Sequence, residues 1–287
     1  MSTPSIESPS PAKVNLRLEV LRRREDGYHE IRTVMQRISL CDTMRISLKE
    51  EQGVTVTTDS THLPLGKGNL AYRAASSLLE EAKARVGVEI HIEKEIPVAA
   101  GLGGGSSNAA TTLMELNKIL KLNFSKDRLM EVGARIGADI PFFILEKSAI
   151  ATGIGEKLQP VKIQPAFWLV LVSPGWEIST RWAYEGLNLE LTKRPIHITL
   201  PPFFKDFGEV IRILHNDLET VTVAAYPEIN AIKAELLSHG AAGSLMTGSG
   251  PTVFGLFRRK RDAEIARQQL DAHYTERRWG VYLAKCI

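Results

Sequence analysis

The sequence predicts an α+β fold built as two units, and three observations carry that expectation. Segments with apolar residues at every second position come early and are followed by segments with apolar residues three or four apart. Strands followed by helices, rather than alternating with them, are the mark of that class. A glycine cluster at Gly101–Gly105 opens the clearest of the helical segments. From Ser244 onward, the order strand, loop, strand, helix, strand outlines a small α+β sandwich. The 287 residues exceed the roughly 250 at which a single core stops growing. The chain therefore divides near Gln159-Pro160 into an N-terminal mixed β/α domain (11–160) and a C-terminal α+β domain (161–287). Residues 1–10, rich in Ser and Pro, read as a disordered leader.

The elements follow in order. Over Lys13 to Leu21, Val14, Leu16, Leu18 and Val20 alternate with Lys13, Asn15, Arg17 and Glu19, the period of a half-buried strand. Asp26-Gly27 reads as a turn into a second β segment, Ile31 to Ile38. Met44, Ile46 and Leu48 alternate again, as do Val88, Ile90 and Ile92, with Leu70, Ala74 and Leu78 at helical spacing between them. Ala109, Leu113, Leu116 and Leu120 mark an amphipathic helix whose N-terminus lies at the glycines. Ser125 is placed to cap a helix carrying Leu129, Val132 and Ile136, and Pro141 opens another. In the second unit, Phe167 to Val172 is a buried strand and Ser179 to Leu187 a helix. A break covers Pro195 to Pro202, and a helix over Ile229 to His239 is closed by Gly240. Strands at Ser244–Met246, Val253–Phe257 and Val281–Ala284 and a helix at Asp262–His273 complete the chain.

Composition narrows the function classes. Apolar residues at 44% and charged ones at 24% are ordinary for a globule and exclude a disordered or collagen-like chain. The longest apolar run, Ala166 to Val172, is far shorter than the ~20 residues a membrane span needs. Two cysteines cannot build a disulfide framework, and no Cys/His cluster has zinc spacing, so a cytoplasmic protein with reduced thiols is expected. With 36 Lys+Arg against 33 Asp+Glu, the net charge of +3 is too small for a nucleic-acid binder. The clusters Arg258–Arg261 and Arg277-Arg278 read as solvated surface, while Arg22-Arg23-Arg24 stays open because it borders a motif.

The segment Pro97-Val98-Ala99-Ala100-Gly101-Leu102-Gly103-Gly104-Gly105-Ser106-Ser107-Asn108 says most about chemistry. Its glycines permit close approach of an anion, and the following helix supplies unpaired N–H groups and the positive end of its dipole. Ser106 and Ser107 add hydroxyls for phosphate oxygens or magnesium. No Lys follows the last glycine, so this is not a Walker A loop. A flexible linker would not run straight into an amphipathic helix.

Other candidates have two readings each. Lys13 on the polar face of its strand reads alone as a solvated lysine; with Asn15 it offers a cation and an amide to one site. Asp139 is placed first of all to cap the helix that Pro141 opens, and it can also position or deprotonate an attacking hydroxyl. Asp26-Gly27-Tyr28-His29-Glu30 is a turn with a surface aromatic, or a stacking platform with an imidazole for the edge of a base. Thr247-Gly248-Ser249-Gly250-Pro251 is a tight hairpin turn, or a second source of backbone amides for phosphate.

Jointly, Pro11-Ala12-Lys13-Val14-Asn15-Leu16, the Gly101–Asn108 loop and Thr247–Pro251 resemble the three ordered motifs of the GHMP small-molecule kinases. The segments Arg23–Glu30 and Gly137-Ala138-Asp139-Ile140-Pro141-Phe142-Phe143 bring the resemblance closest to members acting on a cytidine diphosphate-linked methylerythritol. The resemblance extends over nearly the whole chain. It implies a two-domain GHMP-kinase-like fold with ATP held by the glycine loop. The reaction it implies is phosphoryl transfer from ATP to the substrate's 2-hydroxyl, a step in non-mevalonate isoprenoid precursor synthesis. Asp139 would be the base and Lys13 the cation that orients it and stabilises charge. Asn15 would contact the polyol, and Tyr28 and His29 would recognise cytidine. Tyr184, with Trp182 as a rival, would stack on the other face of the base. Lys147 would approach the cytidine, and Asn69 and Leu70 the adenine. Magnesium would be held by ATP itself and Ser107, with no protein metal site assigned. The partner is a small molecule, with neither nucleic acid nor membrane, and oligomeric state is left open. Two rivals remain: another GHMP kinase, which would have no use for Gly27–Glu30, and a catalytically inactive nucleotide-binding protein.

Overall fold

A computed structural model describes residues 4–164, 166–188 and 200–287. It divides into two compact units that interleave along the chain. One holds Met1–Ala12, Cys41–Val98 and Gly103–Glu146; the other holds Lys13–Leu40, Ala99–Leu102 and Lys147–Ile287.

Two long strands, β1 (Ser5–Arg23) and β2 (His29–Lys49), contribute residues to both units. In the first unit, β2 pairs antiparallel with β4 (Gly87–Glu93), from Thr43 opposite Glu93 to Lys49 opposite Gly87. On its other edge β4 pairs parallel with β3 (Gly53–Thr58). Four helices complete this unit: α1 (Leu70–Ala82), α2 (Gly104–Ile119), α3 (Lys126–Ala134) and α4 (Ile140–Leu145). Met44, Ile46, Val88, Ile90 and Ile92 are fully buried, as are Leu78, Leu113 and Leu116 of α1 and α2. Each such side chain contributes roughly 1.5–3 kcal/mol of hydrophobic stabilisation.

In the second unit, β1 pairs parallel with β10 (His215–Asn216), and β2 pairs antiparallel with β5 (Ala149–Gly153), which pairs with β6 (Lys157–Pro160). A short pair joins β7 (Lys162–Ile163) to β9 (Phe203–Phe204). An antiparallel sheet in the order β11-β12-β8-β13 uses Gly243–Met246, Val253–Phe257, Trp168–Ser173 and Gly280–Lys285. Helices α5 (Thr180–Glu185), α6 (Phe207–Arg212), α7 (Glu219–Ala225), α8 (Glu228–Ser238) and α9 (Lys260–Tyr274) complete the unit. One core joins Val170, Val172 and Phe257 of the sheet to Ile232 and Leu236 of α8 and Ala266 and Leu270 of α9.

Local signals hold closely. Ser125 accepts from the Arg128 N–H as the cap of α3, Pro141 sits in the first turn of α4, and Gly240 follows α8 at φ +90°. Three features differ from the reading. Residues Ser5–Ser10, expected in a leader, lie in β1. The polar face of β1 is as buried as the apolar one from Ser10 to Leu18, because it meets a polar layer of its own, described below. The expected boundary at Gln159 falls inside β6, where Gln159 pairs with Ile150. Chain order is not unit order here, since β1 and β2 run through both units. The break expected over 195–202 lies mostly outside the described residues. Among the described residues, no helix is long and apolar enough to cross a membrane.

Candidate active site

In the second unit the polar face of β1 builds a buried cluster around Lys13, which is only 5% exposed. Lys13 Nζ donates to Asn15 Oδ1 at 2.7 Å and to the Gly101 carbonyl at 2.9 Å. An ammonium removed from water requires such partners, since a desolvated charge without them costs several kcal/mol. Asn15 donates its backbone N–H to Thr247 Oγ1 at 3.0 Å and its side-chain NH2 to Thr33 Oγ1 at 2.8 Å. The solvated-lysine reading therefore fails: Lys13 is buried and bonded to Asn15 and Gly101. The Asn15 amide donates to Thr33, and its Oδ1 accepts from Lys13 and, at 3.4 Å, from the Thr247 hydroxyl.

The Thr247–Pro251 loop, between β11 and β12, closes on Gly101. A Cβ at Gly101 would lie 2.2 Å from the Thr247 carbonyl oxygen, and the residue sits at φ +77°. Its glycine is thus required both by conformation and by backbone approach. Asn216, 4% exposed on β10, clamps the same loop by donating 2.8 Å bonds to the carbonyls of Met246 and Gly248. Ser249 Oγ lies 2.9 Å from Thr180 Oγ1.

In the first unit, α2 begins after Gly103, which caps it in the left-handed region at φ +71° without a side-chain bond. The first N–H that turns back into the helix is that of Ser107, on the Gly103 carbonyl. The N–H groups of Gly104, Gly105 and Ser106 precede it, and such groups with the helix dipole form an anion site. At Gly104 a Cβ would crowd Ile96 and the Lys94 ammonium at 3.1 and 3.3 Å. Gly105 is exposed, and a Cβ there would meet only Leu70, at an ordinary 3.5 Å. Neither packing nor backbone conformation accounts for that glycine. We expect Gly105→Ala to raise stability by up to about 1 kcal/mol through helix propensity. Where the ATP phosphates approach this turn, the added methyl should hold them off the N–H groups and raise the ATP KM about tenfold. Thermal melts and steady-state kinetics read the two effects; an unchanged KM would place the phosphates elsewhere.

Of the paired serines, Ser107 is fully buried and accepts from Ser10 Oγ at 2.8 Å, while Ser106 is half-buried. Asn108 links Ser10 to the fully buried Asp42, which also holds the Glu95 and Ile96 N–H groups and pairs with Lys94. Ser107 thus belongs to the base of the loop, and Ser106 is the hydroxyl on its accessible side. Asn69 caps α1, accepting from Ala71 N–H at 2.8 Å, and its amide donates to the Pro64 carbonyl. Leu70, half-buried beside Gly105, forms an apolar wall next to the loop. Asp139 occupies the N-cap position of α4, yet its side chain makes no cap hydrogen bond. The simpler capping role is not how this carboxylate is used.

At the β1–β2 turn, Arg24 N–H donates to the Tyr28 carbonyl and Asp26 Oδ1 accepts from Tyr28 N–H. Tyr28 is left 60% exposed. The His29 ring lies 5.3 Å from that of Tyr184, tilted by 31°. Burial first, and then the nearby Arg23 charge, push the His29 pKa below its ordinary 6.5, so the imidazole is neutral at pH 7. It then offers one donor and one acceptor. Trp182 instead packs edge-on against Tyr226 at 5.9 Å. The Arg22 to Arg24 cluster is matched by acids, with Arg22 on Glu30 and Arg24 on Asp26. Lys147 is exposed just before β5, and the adjacent Ser148 bonds Gln36. That is seven residues of β2 beyond His29, about 23 Å of extended strand. The strand register thus separates Lys147 from the His29–Tyr184 pair, contrary to expectation.

Residues 69–147 match the GHMP kinase N-terminal domain and residues 199–276 the GHMP kinase C-terminal domain. The chain is also 50% identical over 283 residues to the 4-diphosphocytidyl-2-C-methyl-D-erythritol kinase of Geotalea daltonii, covering 99% of each chain. The chain belongs to the GHMP kinase family. A kinase of the same name from Geobacter metallireducens is 51% identical to this GHMP kinase over 266 residues, covering 93% of this chain and 94% of the relative. A crystal structure of 4-(cytidine 5'-diphospho)-2C-methyl-D-erythritol kinase is 34% identical, with a TM-score of 0.79 over 98% of this chain and 99% of that one. The homoserine kinase of Cytophaga hutchinsonii, at 17% identity and a TM-score of 0.75 over 99% and 94%, shares the fold.

Within this GHMP kinase, the structure joins Lys13, Asn15, Gly101 and Thr247 in one unit and pairs His29 with Tyr184 there. It places the start of α2, Leu70 and Asp139 in the other. Sequence reasoning missed Thr33 and Asn216. Thr33 follows Arg32, and Asn216 lies between His215 and Asp217, so each sits among other polar residues and nothing in the residue pattern separates a buried hydroxyl or amide from a surface one.

Proposed function

We propose that this GHMP kinase transfers the γ-phosphoryl group of ATP to the 2-hydroxyl of 4-diphosphocytidyl-2-C-methyl-D-erythritol, in non-mevalonate isoprenoid precursor synthesis. The observation that carries the substrate is the His29–Tyr184 ring pair beside the exposed Tyr28. A kinase acting on a small alcohol without a base, such as mevalonate or homoserine, has no use for that group. Tyr28 and Tyr184 would hold the two faces of the cytosine, and the neutral His29 imidazole would meet its edge with one donor and one acceptor.

The rest of the reading assigns each group by its setting. The amides of Gly104 and Gly105 and the Ser106 hydroxyl would hold the ATP phosphates, with Leu70 against the adenine. Asp139 would take the proton from the attacking hydroxyl, and the Lys13 ammonium would stabilise charge developing on oxygen. Among the described residues no group of three His, Cys, Asp or Glu side chains is placed to hold a metal. A magnesium ion would be carried on the ATP phosphates with its waters. When bound, the ion would neutralise charge on the β- and γ-phosphates. A cytoplasmic location belongs to the same reading.

ADP release with the cytidine substrate, mevalonate and homoserine tests the assignment. Turnover should be confined to the first, and equal turnover with mevalonate would overturn it. Tyr28→Ala and Tyr184→Ala should each raise the KM for the cytidine substrate about tenfold, the loss of a stack worth roughly 1–3 kcal/mol. Trp182→Ala should leave it unchanged, because that ring packs on Tyr226. The reverse pattern would make Trp182 the base platform.

A further inference from the structure

The hydrogens around Lys13 can be traced from a single carbonyl. The Arg17 carbonyl can only accept, so the one hydroxyl hydrogen of Thr33 is committed to it, at 2.6 Å. Thr33 Oγ1 then has only lone pairs left, and these face the Asn15 side chain 2.8 Å away. The Asn15 group on that side must be its NH2. Turning the amide over would set its carbonyl against an oxygen with no hydrogen to give. Asn15 Oδ1 is thereby fixed toward Lys13 Nζ, which it accepts from at 2.7 Å. Thr33 is 1% and Asn15 3% exposed, so bulk water does not stand in for a lost member.

From this we infer that Thr33 is a positioning residue for phosphoryl transfer: its hydroxyl fixes the Asn15 amide, and that amide fixes the Lys13 ammonium. The inference rests on the role proposed for Lys13. It gives the buried Asn15 a task besides substrate contact. Thr33 Oγ1 bonds the Arg17 carbonyl and the Asn15 amide, so its effect on Lys13 passes through Asn15. Small displacements of an aligned group can cost up to about 10²-fold in rate.

A double-mutant cycle tests it, with kcat and KM for both substrates measured on Thr33→Val, Thr33→Ser, Lys13→Met and Lys13→Met/Thr33→Val. Thr33→Val should lower kcat about tenfold or more while the ATP KM stays within twofold. Thr33→Ser, which keeps the hydroxyl, should stay near the parent. In the Lys13→Met background, Thr33→Val should cost nothing further. A parent-like Thr33→Val, an equal loss in both backgrounds, or a Thr33→Ser as slow as Thr33→Val would each overturn the inference. A parent-like Lys13→Met would instead overturn the role of Lys13, so the two failures are distinguishable. If Thr33→Val does not melt cooperatively, Thr33→Ala takes its place in the cycle.

Discussion

Asp139→Asn should lower kcat by about 10²–10⁴-fold, the range that general-base help contributes, with the ATP KM within about twofold of the parent. Asp139 stands at the N-cap of α4, where an Asp commonly accepts a backbone N–H, but it makes no such bond. The usual penalty of about 1 kcal/mol for losing a cap therefore does not apply. The asparagine has nearly the same shape, so α4, with Pro141 in its first turn, should form as before. The substitution removes the carboxylate charge and with it the ability to take a proton. Kinetics and a thermal melt on the same preparation separate the effects: slow turnover with a parent-like melt supports the base, and near-parental turnover sinks it.

Gly101→Ala should produce the other large effect, and by a different route. At φ +77° a residue with a Cβ pays about 1–2 kcal/mol for the left-handed conformation alone. The added carbon would also lie 2.2 Å from the Thr247 carbonyl oxygen and 3.3 Å from Gly250 N. Both are backbone atoms, so no rotamer change relieves the contact. We expect a loss of at least about 2 kcal/mol, a fall in melting temperature of roughly 4–8 °C. The damage reaches the Lys13 cluster because the Gly101 carbonyl accepts from Lys13 Nζ. Moving it should cost about 10²-fold in kcat. Gly105→Ala, four residues on, should do the opposite to stability. Parent-like melting and turnover in Gly101→Ala would mean that the two loops are not held against each other in solution.

These contrasts show how much the residues alone could say. The capping signals at Ser125 and Gly240 depend on neighbours in the chain, and they were legible. The glycine loop announced an anion site for the same reason, since helix N–H groups and glycines are local properties. Period-two spacing placed Lys13 and Asn15 on one face but could not say whether that face was wet. The partners that bury it, Thr33, Gly101 and Thr247, come from three separate stretches of chain. Ser106 and Ser107 are neighbours of like chemistry, and only the helix turn and Ser10 make one accessible and the other structural. Lys147 was misplaced because the register of β5 on β2 is not written near it. The division into units was hidden by β1 and β2, which serve both.

The position of the new phosphate is the most direct test of the central claim. C2 of the methylerythritol carries no hydrogen, so a phosphate on its oxygen has no three-bond coupling to a proton on the bearing carbon. Phosphorus NMR of the product made from 4-diphosphocytidyl-2-C-methyl-D-erythritol and ATP should show a new phosphomonoester singlet. A proton-coupled doublet or triplet, or no new monoester in the presence of folded enzyme, would contradict the account.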